Sequence, residues 1–149
     1  MKRSLAFAWL ALLAPLAALA QTAPEAMPVQ LDSKHYHISA TAAKDEAQEL
    51  LDFMELVHHT YLQLLKPDDP AAVESKTFTL VLYKNNDEYV ASGAPKGSGA
   101  FYNGKLLVGF YDDFMMRPYF AHEGMHQFTD ITSKAFRNFP MWFSEGIAD

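Results

Sequence analysis

Apolar residues recur at three- and four-residue steps through the first half of the chain. The positions that form this stripe are Leu50, Phe53, Met54, Val57, Tyr61, Leu64 and Leu65. Such spacing lines one face of a helix, so the pattern predicts a long core-packing helix. We expect it to start near Thr41 and to end at about Leu65, before the break at residues 67–70.

Alternating and β-branched runs predict the strands. Residues 35–39 alternate in the manner of a short strand, and residues 77–83 are apolar on both faces, as is typical of a central strand. Residues 100–102 and 105–110 flank Asn103-Gly104, and this dipeptide is the strongest short-range signal for a hairpin. The hairpin predicts an antiparallel edge.

The remaining segments have helical composition. Asn85 or Asn86 can cap a short helix. A longer helix is expected over residues 112–129, with Pro118 in its first turn, and a further helix near Pro140. Strands therefore come first and helices last, which predicts the α+β class: a small mixed sheet with an antiparallel edge hairpin, a long N-terminal helix and helices packed on one face.

The N-terminus has the layout of a secretory signal. Lys2 and Arg3 precede an apolar run at residues 5–13, and an Ala-Leu-Ala cleavage site ends at Ala20. An uncleaved membrane anchor is the alternative, but the apolar run is shorter than the roughly 20 residues of a spanning helix. We expect residues 1–20 to be removed by cleavage near Ala20 and Gln21.

Residues 21–30 contain two prolines and small side chains, which indicates a flexible leader before a single domain at residues 31–149. No later stretch is apolar enough to span a bilayer, so we expect a periplasmic or secreted protein with no stable membrane insertion. The formal net charge is −6, and loss of Lys2 and Arg3 leaves −8. An acidic chain without a basic cluster excludes nucleic acid as a partner.

The chain contains no cysteine. Disulfides, thiol catalysis and cysteine-ligated metals are therefore excluded. Any metal must be bound by histidines and carboxylates.

One segment combines two histidines and a glutamate as His122-Glu123-Gly124-Met125-His126. On a helix, residues four apart share a face, so both imidazoles can reach one zinc ion while Glu123 stands beside its bound water. Zinc lowers the pKa of such a water toward about 7. A nearby carboxylate can accept the proton of this water and pass it to a leaving amine. The motif predicts peptide hydrolysis with Glu123 as general base.

A zinc site of this kind needs a third protein ligand, and Glu145 is a candidate, with eighteen residues between it and His126. This pattern resembles the gluzincin metallopeptidases. Residues 142–148, Trp-Phe-Ser-Glu-Gly-Ile-Ala, are similar to the Trp-x-x-Glu-Gly-x-Ala segment of the aminopeptidase N family and of exported bacterial peptidase MA-like domains. The resemblance implies a zincin-type active-site helix and one zinc per chain, bound by His122, His126 and Glu145.

A second resemblance concerns the predicted hairpin. The aminopeptidase N family lays a Gly-Ala-Met-Glu-Asn strand beside its substrate, and the similar residues here are Gly99, Ala100, Phe101, Tyr102 and Asn103. Free backbone groups of such an edge strand pair with an extended peptide. Tyr102 replaces the glutamate that binds a substrate N-terminus in that family, so aminopeptidase specificity is not implied.

In the thermolysin-like branch of the gluzincins, an aspartate four residues after the ligand glutamate bonds to the first zinc histidine. Asp149 stands at that offset from Glu145, so the resemblance implies that it orients His122. The alternative is a solvated residue at the chain end. Family members continue into more helix and an oxyanion-stabilising Tyr or His, so we expect a domain truncated at its C-terminus.

The other histidines have plainer interpretations. Adjacent residues of a helix point apart, so His58 and His59 are expected at the surface or its boundary. His35 and His37 share one strand face, but no third ligand lies nearby in the segment, so a surface metal is the minor alternative. The glycine-rich residues 92–99 lack the Gly-Lys-Ser/Thr ending of a phosphate-binding loop and are interpreted as a connector.

Three functions remain open. The first is a zinc metallopeptidase that hydrolyses peptides or proteins in the cell envelope. The second is an exported zinc-binding domain with little or no turnover, either a fragment or a degenerate peptidase. The third is a structural or interaction domain in which the motif is a coincidence.

Overall fold

The computed structural model describes residues 27–133 and 140–149, and the predicted signal peptide with its cleavage site lies outside them. Five strands form one sheet in the order β1-β2-β3-β5-β4, and they are β1 (Val29–Asp32), β2 (Tyr36–Ala40), β3 (Phe78–Tyr83), β4 (Ala100–Tyr102) and β5 (Leu106–Phe110). The three inner strands are parallel, while β1 and β4 are antiparallel to their neighbours. The predicted mixed sheet, central β3 and antiparallel edge hairpin are confirmed.

Five helices complete the described fold: α1 (Lys44–Leu65), α2 (Pro70–Glu74), α3 (Asn86–Ala91), α4 (Met116–Thr132) and α5 (Met141–Ala148). The α+β class and the long N-terminal helix are confirmed. Within the described residues, no helix combines the length and the apolar character needed to cross a membrane.

The sheet is covered on both faces. Leu80 and Leu82 of β3 point into the main core with α1 and α4, whereas Val81 points into a smaller core against Tyr89 of α3. Side chains alternate across a strand, so a central strand that is apolar throughout needs cover on both sides. The expectation that the helices pack on one face is therefore wrong for α3.

Local hydrogen bonds explain where several elements begin. Asn85 caps α3 by accepting from the Glu88 backbone N–H at 3.0 Å. Thr41 does not start α1 as predicted, because its hydroxyl donates to Glu88 at 2.6 Å and accepts from the Lys84 N–H. The first turn of α1 is instead closed by the side chain of Glu46, which accepts from the Ala43 N–H at 2.7 Å.

Two elements were absent from the sequence-based prediction. Strand β1 begins at Val29, so the last two residues assigned to the flexible leader belong to the sheet. Helix α2 begins at Pro70, where a break was expected, and Asp69 caps it by accepting from the Ala72 N–H at 3.0 Å. A proline at the first helical position is compatible with a helix because its missing N–H would have no partner there.

Candidate metal centre

Three side chains from two helices converge at one point. Helix α4 presents His122 and His126 one turn apart, and α5 presents Glu145 opposite them. The Nε2 atoms of the two imidazoles are 3.3 Å apart. The carboxylate oxygens of Glu145 lie 3.3 Å from His122 Nε2 and 3.5 Å from His126 Nε2.

This triangle fits a metal ion. Tetrahedral zinc with bonds of about 2.0–2.2 Å to nitrogen and oxygen holds its ligand atoms roughly 3.3 Å apart. The side chains are 29% exposed at His122, 21% at His126 and 49% at Glu145, so solvent reaches all three. The group is one of two among the described residues whose donor atoms are close enough to share an ion.

Asp149 takes the position expected of an orienting carboxylate. Its Oδ1 atom lies 3.1 Å from Nδ1 of His122, which is the ring nitrogen that faces away from the triangle. An acceptor at Nδ1 places the proton there and leaves the Nε2 lone pair for a metal. The predicted pairing of Asp149 with His122 is therefore seen in the contacts, although the aspartate side chain is 78% exposed.

Glu123 points from α4 to the edge of the sheet. Its Oε2 atom accepts the backbone N–H of Tyr102 in β4 at 2.9 Å. The phenol of Tyr102 donates to Asp130, one turn beyond His126 on α4, at 3.0 Å. Two hydrogen bonds thus fix the edge strand against the helix that carries the histidines.

An open cleft lies between β4 and α5, and its lining residues are Tyr102, Glu123, His126, Met141, Ser144 and Glu145. The lining includes two carboxylates and no lysine or arginine, so its charge favours a cation. Of the five residues expected in the substrate strand, Ala100, Phe101 and Tyr102 form β4. The other two have local roles instead.

Gly99 and Asn103 flank β4. A Cβ built at Gly99 would lie 2.0 Å from the ring of Tyr119, so glycine is required for α4 to approach. The side chain of Asn103 closes the hairpin turn by accepting from the backbone N–H groups of Lys105 and Leu106. Neither residue lies within β4, although the resemblance to the aminopeptidase N strand implied that both would, whereas Asn103 occupies the turn position that the Asn-Gly pattern predicted.

The close approach of α1 fixes α4 from the other side. Gly124 lies at their contact, where an added Cβ would be 2.8 Å from Met54 Cε and 3.0 Å from Tyr61 Oη. The phenol of Tyr61 donates to the carbonyl of Ala121, the residue before the first histidine. Gly124 therefore serves helix packing, which accounts for a mid-helix glycine that lowers helix propensity.

A second cluster involves histidines for which the sequence predicted no site. His58 is buried at 1% exposure, so the expectation of a surface position is wrong, whereas His59 is exposed as expected. The ring of His58 stacks on that of His35, and His35 in turn contacts Glu55 and Glu74. The signal was present in the spacing, because His58 falls four residues after Met54 and three before Tyr61 on the buried stripe.

No protein-family model, curated protein or solved structure matches the chain.

Proposed function

We propose that the chain is an exported zinc-dependent metallopeptidase of the gluzincin type. The observation that carries the proposal is the convergence of three side chains: the Nε2 atoms of His122 and His126 are 3.3 Å apart, and each lies 3.3–3.5 Å from a different carboxylate oxygen of Glu145. Two imidazoles and one carboxylate with an accessible open side suit catalytic zinc better than magnesium or calcium, which prefer oxygen ligands.

The residues of the chain divide the chemistry between them. His122, His126 and Glu145 would hold the zinc, and Asp149 fixes the tautomer of His122 through Nδ1. When bound, zinc supplies Lewis acidity that makes water a nucleophile at neutral pH. Glu123 lies beside the same opening and takes up the proton of the attacking water, then delivers it to the departing amine.

The substrate class follows from the edge strand. Among the described strands β4 pairs only with β5, and its last residue, Tyr102, lines the cleft. An extended peptide that adds to this strand would pair with backbone groups other than the Tyr102 N–H, which donates to Glu123. The carboxylate that would bind a free N-terminus in the aminopeptidase N family is replaced by Tyr102, so we propose cleavage within peptides.

The test is hydrolysis of a pool of N-terminally blocked fluorogenic peptides by the zinc-loaded protein. We expect Glu123→Gln to lower turnover about 10²- to 10⁴-fold, the usual contribution of a general base. Glutamine keeps an oxygen that can accept the Tyr102 N–H, so the cleft and the bound zinc should be retained. Glu49→Gln, which changes an exposed carboxylate paired with Arg117, is the matched control.

A binding domain with little or no turnover is the second candidate. Both hydroxyls of the cleft lining already donate elsewhere, Tyr102 to Asp130 and Ser144 to the Met141 carbonyl. Stabilisation of an oxyanion is thus not assigned to either, and such stabilisation commonly contributes 10²- to 10³-fold in rate. Stoichiometric zinc without hydrolysis of any peptide in the pool would favour this candidate over the peptidase.

A further inference from the structure

His58 is a buried polar side chain without a partner. It is 1% exposed, and neither of its ring nitrogens has a hydrogen-bond partner among the described residues. The rings of Tyr36, Phe78 and Phe128 surround it through edge contacts. Buried side-chain nitrogens are nearly always hydrogen-bonded, so this imidazole calls for a ligand that uses a nitrogen lone pair.

The groups beside His58 are those of a metal site. His35 Nε2 lies 3.2 Å from Glu74 Oε2, a separation close to that of two ligands on one tetrahedral zinc. Its other nitrogen, Nδ1, lies 2.6 Å from Glu55 Oε2. A carboxylate behind a histidine is the usual arrangement that orients a metal-binding imidazole.

We propose a second zinc site formed by His35, His58 and Glu74, with Glu55 orienting His35. One donor atom from each of the three lies within 4.8 Å of the others. The ligands come from the residue before β2, the middle of α1 and the last residue of α2. A shared ion would cross-link these elements, so the site is structural and independent of the triangle on α4 and α5.

Zinc binding at this site requires two side-chain rearrangements. The rings of His35 and His58 stack at 3.9 Å with an interplanar angle of 11°. A nitrogen lone pair lies in the plane of its ring, so His58 must turn out of the stack to share an ion with His35. Lys34 is paired with Glu74 and must release it, which its 66% exposed side chain permits.

Glu74 is the ligand of the proposed site that is best suited to substitution. Its side chain is 36% exposed, so the Glu74→Gln variant should fold even if His58 variants do not. Glu74→Gln is combined with His126→Gln and Glu145→Gln, which remove the first site. The same background with His37→Gln is the control, because His37 is a partly exposed histidine of β2 whose ring pairs with Asp32.

Zinc content after equilibration with zinc alone and gel filtration is the readout, with imidazole NMR signals as a second one. We expect one zinc per chain in the background and in the control, none in the Glu74→Gln combination, and zinc-dependent shifts of the His35 and His58 ring signals. No zinc in the background would overturn the proposal. Zinc retained after Glu74→Gln would overturn it too, because the ion would then be bound elsewhere.

Discussion

Two glycines in helices separate the effect of packing from that of helix propensity. Alanine in place of glycine stabilises a helix interior by up to about 1 kcal/mol. At Gly146 an added Cβ meets no atom of the described residues within 4 Å, so Gly146→Ala should gain much of this stabilisation. At Gly124 the same atom meets Met54 and Tyr61. Overpacking of a core typically costs about 1–3 kcal/mol, so Gly124→Ala should be destabilising overall.

Whether Gly124→Ala stabilises or destabilises the fold depends on Tyr61. The methyl end of Met54 can move away, but the Tyr61 phenol is held by its hydrogen bond to the Ala121 carbonyl and is 4% exposed. We expect urea unfolding of the chelator-treated protein to place Gly124→Ala about 1–3 kcal/mol below Gly146→Ala. Tyr61→Phe should remove much of that difference, as a double-mutant cycle would measure. Equal stabilisation by both alanines would refute the packing argument.

Further predictions concern pH, metal affinity and the surface. Burial and the neighbouring His35 lower the pKa of His58 from 6.5 to about 4, so stability should fall by about 1.4 kcal/mol per pH unit as pH drops through that window. In urea titrations of metal-free protein, His58→Phe should remove this slope and His59→Phe should not. Asp149→Asn should weaken zinc binding about 10-fold by chelator competition, the low end for an exposed orienting carboxylate. Arg117→Ala should change the unfolding free energy by less than about 1 kcal/mol, since its partner is exposed.

The sequence was most informative for elements that a single hydrophobic pattern or a single turn motif determines. The stripe through α1, the apolar run of β3 and the Asn103-Gly104 turn are each local, and each predicted its element. Helix α2 was not predicted, because a proline usually interrupts a helix, although Asp69 before Pro70 is a good N-cap. Strand β1 was missed because its four residues follow a proline-rich stretch.

The candidate site divides in the same way. The spacing of His122 and His126 follows from helical geometry alone, but the contact of Glu123 with the Tyr102 N–H joins residues 21 positions apart. Such pairings depend on how β4 packs against α4, which no local pattern specifies. The burial of His58 was not predicted because a histidine does not count toward an apolar pattern, although His58 lies on the same face of α1 as the apolar stripe.

Anomalous X-ray diffraction from zinc-soaked crystals would locate the metal that we propose for His122, His126 and Glu145. We expect an anomalous peak about 2.0–2.2 Å from His122 Nε2, His126 Nε2 and a carboxylate oxygen of Glu145, and no peak there in Glu145→Ala. If the intact protein shows no peak at this position with zinc in excess, these three residues do not form a zinc site.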